Sequence, residues 1–258
     1  MKSPNKPTTR LCTHSTDAIT VRGADLVDEL IGELSFTEMT YFAITGRRPT
    51  PAQTRILDAV LVTLMEHGLT PSAIATRMIY GSTPESLQAG VSAGLLAVGS
   101  VFVGTMEGCA GLIERILAAP DGEATAREIA DEYRSARKPI PGFGHHMHKP
   151  DDPRTPKLFA LAESEGVPGH HIAALRTLSA AVDERFGKHI TVNATGAIGA
   201  LLGEIEIPTA IMRGIAVISR SAGLVAHIAE EQQTPSMRYM WDLVEENVPY
   251  EAEPHSGD

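Results

Sequence analysis

The segment "KPIPGFGHHMHKPDDPR", residues 138–154, gathers three histidines, two aspartates and a closing arginine on one short stretch. Pro139, Pro141, Gly142 and Gly144 keep it out of a regular helix and let the backbone approach a ligand closely. His145 follows at once, and Arg154 comes after a second turn, "KPDDPR", just ahead of the next helix. A His and an Arg on one ordered loop suit an anionic carbonyl compound. The guanidinium takes a carboxylate through two parallel hydrogen bonds, and the imidazole polarises a carbonyl or moves its proton. The competing reading is a solvated loop whose histidines do nothing, and on these residues alone the two stand level. His146 and His148 stand two apart with no third ligand, a weak metal pattern, so no metal is expected.

The elements that must hold this loop are helices. "TPAQTRILDAVLVTLMEHG" reads as Thr50 at the N-cap, Pro51 at the first helical position, Gln53 in the capping-box position and an apolar stripe ending at Gly68. Ser35 and Glu38 form a second box. Thr-Pro pairs at 70–71, 83–84, 155–156 and 234–235 read as further starts, as does Ile207-Pro208. Nearly every apolar segment has the 3.6-residue period. "DAITVRG", residues 17–23, is the one strand-like piece. The fold class is therefore all-α, with about ten to twelve helices. "SLQAGVSAGLLAVGSVFVG" and "TVNATGAIGALLGEI" are apolar on most faces, which means buried and closely approached helices. Several of these in one chain point to a partner subunit, so a homodimer or higher homo-oligomer is expected.

The bulk numbers narrow the function. The chain has 258 residues, 43% hydrophobic and 21% charged, ordinary for a globular protein, with a formal net charge of −10. That charge argues against a nucleic-acid binder, which needs a basic face. Cys12 and Cys109 stand far apart with no CxxC, which excludes a disulfide framework or zinc site. "MKSPNKPTTR" has no apolar run behind it, and no apolar stretch reads as bilayer-spanning without a break. A cytoplasmic location and no membrane partner are expected.

"PGFGHHMHKPDDPR" resembles the Pro-Gly-Phe/Tyr-Gly-His … Asp-Pro-Arg motif of the citrate synthase superfamily, with His and Arg at the family's separation. In the same order, "DAITVRGADLVDELIGELSFTEMTYFAITGRRPT" is similar to its N-terminal segment, "EHGLTPSAIATR" to its Asp/Glu-His segment and "ISRSAGLVAHIAEE" to its late Arg-bearing helix. The resemblance spans residue 18 to about 230. It implies a large helical domain, residues 1–125 and 212–258, and a small helical domain, 126–211, with the site in the cleft between them.

Two departures set the branch. Where citrate synthases carry a second catalytic His, this chain has Phe102 in "AVGSVFVGTMEG", similar to the citryl-CoA lyase branch and the lyase module of ATP-citrate lyase. Where both branches carry an Asp, Thr195 stands in "VNATGAIGALLGEI". A hydroxyl is no general base at neutral pH. Glu107, Asp183 and Glu184 are the acids that could stand in for it.

The resemblance implies that His145 polarises or protonates the reacting oxygen and His67 binds the keto or hydroxyl oxygen. Arg154 and Arg220 hold carboxylates, Phe102 lines the substrate, Lys149 offers a cation to coenzyme A phosphates, and Gly142 and Gly144 let the coenzyme approach. Three readings stay open: a CoA-thioester carbon–carbon lyase working by retro-aldol cleavage, or the reverse condensation; an acyl-CoA hydrolase or retro-Claisen enzyme; or a non-catalytic binder of CoA esters or dicarboxylates. Coenzyme A enters as substrate in the first two, with no permanently bound cofactor.

Overall fold

The computed structural model of the chain describes residues 6–252 apart from 100, 102 and 146. Eleven α-helices occupy most of the described residues: α1 (Phe36–Thr45), α2 (Pro51–Met65), α3 (Pro71–Ser82), α4 (Leu87–Leu96), α5 (Thr105–Ala118), α6 (Gly122–Ala136), α7 (Arg154–Ser164), α8 (His170–Phe186), α9 (Ala194–Glu204), α10 (Met212–Gln233) and α11 (Met237–Asn247). The strands β1 (Cys12–His14), β2 (Ile19–Val21) and β3 (Ala24–Asp25) form one small antiparallel sheet in that order. The fold is all-α, as the periodicity requires. "DAITVRG" supplies β2 and the Arg22-Gly23 turn, with both residues at positive φ (52° and 89°) as a type I′ hairpin needs. Arg22 then donates to the carbonyls of Ala43 and Ile44 at the end of α1, where a cation suits the helix dipole.

The residues group into two compact units. One holds Met1–Thr63 and Val103–Gly214, the other Leu64–Phe102 and Ile215–Asp258. The boundary expected at residue 125 falls inside α6. The first unit is built on α5, α8 and α9, with α6 and α7 packed on them. Met106, Ile113, Leu175, Leu178, Ile198, Leu201 and Leu202 are fully buried there, each burial contributing about 1.5–3 kcal/mol. The Ala/Gly-rich helix α9 is buried along nearly its whole length. In the second unit α3 packs on α4 and α11 rests on α3. Within this chain α4 buries only Gly90 and Gly94, while Leu87 and Leu96 are exposed at 43% and 87%.

Caps split into two kinds. The boxes at Ser35/Glu38 and Thr50/Gln53 form as read, because both partners are local. The starts at Thr83, Thr155 and Thr234 do not: α4 begins after Ser86, α7 at Arg154 and α11 after Ser236. Carboxylates outside the expected caps serve two other helix starts. Glu231 accepts the N–H groups of Ser236 and Met237 at 2.7 Å each. Buried Glu204 accepts those of Gly169, His171 and Ile172 at the start of α8.

The 25-residue helical run Thr209–Gln233 is long and apolar enough, by length and composition, to cross a membrane. It nevertheless carries Arg213 paired with Glu107, together with buried Arg220, His227 and Glu231. That polar content is what a core helix carries around a site.

Candidate active site

The His145 loop is fastened to the strand-like stretch that leads into α9. Phe143 bridges Val192. Gly144 N–H donates to Thr191 O at 2.8 Å, Asn193 N–H to Gly142 O at 3.0 Å, and Asn193 Nδ2 to Gly144 O at 2.8 Å. The same Asn193 caps α9 through Gly196 N–H. Gly142 is required twice over. It sits at φ 83°, and a Cβ there would lie 2.6 Å from Cys109 Sγ and 2.8 Å from Gly196 Cα. The peptide groups of Gly142 and Gly144 are thus engaged by the 191–193 segment, which fixes the backbone from which His145 projects. Burial pushes the Cys109 thiol beneath them up to about 12, so it stays protonated.

His145 Nδ1 accepts the backbone N–H groups of Met147 (3.1 Å) and His148 (3.0 Å). Two donors on Nδ1 leave the proton of the neutral imidazole on Nε2. The His148 ring stacks on it, centroids 4.3 Å apart. His146 and Phe102 lie outside the described residues, and Lys149 is exposed.

Arg154 opens α7, and its guanidinium is held by a residue that motif reading passed over. Asp152, fully buried, accepts Arg154 Nε at 2.9 Å, Nη2 at 2.8 Å and the Arg154 backbone N–H at 3.1 Å, plus Ala194 N–H at 3.0 Å. Burial alone would raise that carboxyl, but these donors outweigh it and hold it at about 2. The Nε/Nη2 edge is occupied, which leaves the Nη1/Nη2 edge for another anion. A signal existed: the Asp sits within the quoted Asp-Pro-Arg.

Thr195 lies in the first turn of α9. Its hydroxyl donates to Asn193 Oδ1 at 2.7 Å and meets Thr105 Oγ1 at 2.9 Å. The proton is directed at Asn193, so Thr105 is the donor of the second bond. The acids considered as substitutes are engaged elsewhere or face solvent. Glu107 pairs with Arg213 Nη2 at 2.6 Å. Asp183 accepts Ile190 N–H and contacts His189, whose other nitrogen faces Asp151. Glu184 is exposed.

In the second unit, α10 crosses the end of α2 at Gly223, where a Cβ would lie 2.1 Å from Met65 O. This contact puts Glu66 and His67 against the Arg220 stretch of α10. His67 N–H donates to Glu66 Oε1 at 2.7 Å, and the His67 side chain is exposed. Arg220 is 9% exposed. Its Nη1 is buried and has no hydrogen-bond partner among the described residues, the nearest carboxylate oxygen being Glu66 Oε1 at 3.9 Å. Burial lowers the guanidinium's pKa, with Glu66 opposing. Burial likewise pushes Glu66 up, but the His67 N–H, His227 and Arg220 together hold its carboxyl below the usual range. A buried cation with a vacant donor is a ready receptor for a ligand carboxylate.

Comparison with known proteins places these features. Residues 11–240 match the family model "Citrate synthase, C-terminal domain". The citryl-CoA lyase of Hydrogenobacter thermophilus has the same fold at a TM-score of 0.86 and 33% identity, over 97% of this chain and 96% of that one. The ATP citrate lyase of Methanothrix soehngenii, solved with citrate and coenzyme A, shares the fold at a TM-score of 0.81 and 18% identity, over 99% of this chain and 43% of that one. "Putative citrate synthase 2" of Mycobacterium tuberculosis is 26% identical over 208 residues, 79% of this chain and 54% of its own length. This chain therefore spans about half the length of the curated relatives it matches. With the family model covering most of the chain and the His145–Arg154 motif intact, this protein belongs to the citrate synthase family.

Proposed function

We propose that the protein is a carbon–carbon lyase acting on a CoA thioester of the citryl-CoA type, or its reverse condensing enzyme. The observation that carries this reading is the likeness to the Hydrogenobacter lyase over nearly the whole of both chains. Cleavage requires the substrate hydroxyl to give its proton to water or another base, since His145 Nδ1 already accepts two amides. The carbon–carbon electron pair then passes to the carbon α to the thioester carbonyl, the keto acid leaves, and the thioester enolate takes a proton on that carbon. His145, with its proton on Nε2, donates a hydrogen bond to the reacting oxygen and stabilises its charge. His67 binds a keto or hydroxyl oxygen of the substrate in this reading. Arg154, through its unoccupied edge, and Arg220, through its vacant Nη1, take carboxylates. Lys149 offers a cation to the coenzyme A phosphates. Coenzyme A passes through as part of substrate and product, with no permanent cofactor.

Thr195 supplies no base, because its proton is directed at Asn193 and its oxygen already accepts from Thr105. The enolate carbon therefore exchanges its proton with another group. This same observation favours the second reading, in which the scaffold hydrolyses an acyl-CoA, performs a retro-Claisen cleavage, or only binds CoA esters and dicarboxylates. A coupled assay with citryl-CoA, following acetyl-CoA and oxaloacetate, separates the two. Turnover that disappears in His145→Ala supports the lyase. No turnover in the wild type, with a gain in Thr195→Asp, moves the natural chemistry elsewhere.

The protein acts as a homo-oligomer in this reading, since α4 is apolar yet leaves Leu87 and Leu96 exposed in the single chain. Light scattering at micromolar concentration tests it, and a monomer there would refute it. A cytoplasmic site accords with two unpaired cysteines.

A further inference from the structure

Burying an arginine is costly unless its donors are satisfied. In the second unit Arg77 on α3 is 3% exposed, and neither the loop motif nor the family comparison of site residues gives it a role. Its partners show an ordered arrangement. Nη1 donates to Glu231 Oε2 at 2.9 Å and to Ser236 Oγ at 3.3 Å, and Nη2 pairs with Glu230. Nε and Nη2 both meet His227 Nδ1, at 3.0 and 2.9 Å. A guanidinium has only donors, so His227 Nδ1 is the acceptor and the neutral ring carries its proton on Nε2. That nitrogen lies 2.9 Å from Glu66 Oε2, in polar contact but without a hydrogen bond. Glu66 Oε1 accepts His67 N–H and is the carboxylate oxygen nearest the vacant Nη1 of Arg220. The hydrogen bonds thus run from Arg77 to His227, and the far nitrogen of that ring rests against Glu66, between His67 and Arg220.

We propose that His227, set by Arg77, is a positioning residue for carboxylate binding at Arg220. It holds Glu66 by one oxygen, so that the other fixes the His67 backbone and steadies the Arg220 guanidinium without pairing with it closely. A Glu66 free to rotate would close on Arg220 and compete with the incoming carboxylate. The inference rests on the carboxylate-binding role of Arg220 in the proposed function, and not on the bond-breaking step.

The test is calorimetric titration of the full chain with oxaloacetate and with citrate, beside the citryl-CoA assay. His227→Leu removes both the acceptor for Arg77 and the donor to Glu66. Its affinity is expected to fall by about tenfold or more, the scale of a displaced binding group. His227→Gln keeps an acceptor and a donor on opposite sides of one amide and is expected to stay within about threefold of wild type. This rescue is what a purely packing role for the ring would not produce. If His227→Leu does not fold, His227→Asn replaces it, since it keeps the acceptor and cannot reach Glu66. Equal affinity in wild type and the broken variant, or equal loss in Gln and Leu, overturns the proposal. Absence of oxaloacetate and citrate binding by the wild type overturns it as well. Binding without citryl-CoA turnover leaves it standing while the lyase reading falls.

Discussion

Arg154 and Arg220 carry the same expected role, yet their surroundings differ. Arg154 is held along one edge by buried Asp152, so its charge is neutralised within the protein and its direction is fixed before any ligand arrives. Among the described residues, Arg220 is more deeply buried, has a donor without a partner and has its nearest carboxylate oxygen at 3.9 Å. The first arrangement is pre-organisation at no net buried charge. The second stores an unfavourable desolvation that a ligand carboxylate relieves. One arginine therefore matters to the fold as well as to the site, whereas the other matters to the site at the expense of the fold.

Substitutions sharpen or break this contrast. The largest effect should come from Asp152→Ala, which leaves Arg154 without its partner and Ala194 N–H without its acceptor. We expect a loss of about 3–5 kcal/mol in urea unfolding. A loss under 1 kcal/mol would mean that the pair is not structural. Arg220→Gln should lower kcat/KM, or the carboxylate affinity if the protein only binds, by about a hundredfold or more. Its melting temperature should hold or rise, because a poorly paired buried charge is removed. A marked fall in melting temperature would place Arg220 in the same class as Arg154.

The acid side of the stability curve tests the same pair without touching Arg154. The Asp152 carboxyl lies at about 2 in the folded protein, against about 3.9 in an unfolded chain. Because the folded value is the lower one, the stabilisation is complete above the unfolded value. It is lost as pH falls from about 4 to about 2, a change of about 2.5 kcal/mol. Asp152→Asn should flatten that arm in pH-dependent unfolding, and an unchanged arm would assign acid lability to other carboxylates. The smallest effect is expected from Asn193→Ala, about 1 kcal/mol for the lost α9 cap. Hydrogen exchange at Gly144 should rise with it, since the two functions share one side chain. A cap loss with an undisturbed loop would uncouple them.

Much of this was legible from local chemistry. The 3.6-residue period, the Ser35/Glu38 and Thr50/Gln53 boxes and the hairpin at "DAITVRG" depend on residues within a few positions of one another, and short-range spacing determines them. The His145-to-Arg154 spacing belongs to the same class, because one loop carries both ends. The starts read at Thr155 and Thr234 failed where another carboxylate took the first amides, Asp152 at α7 and Glu231 at α11. Spacing has no access to Glu231 folding back on Ser236, or to Glu204 reaching α8 from the end of α9. The run at 209–233 is apolar and long, yet Arg213, Gly214, Arg220 and Gly223 interrupt it in the sequence itself.

The sequence by itself determined an all-α protein with a His–Arg loop and a net acidic charge, and its resemblance to the family marked Thr195 as a departure. Only the tertiary structure decided how each titratable group is used. Asp152 fixes Arg154, two backbone amides set the His145 proton on Nε2, Thr195 donates to Asn193, and Arg220 keeps a vacant donor. Residue type limits what a side chain can donate or accept, whereas burial and the partners brought from distant positions decide which of those capacities remain for a ligand.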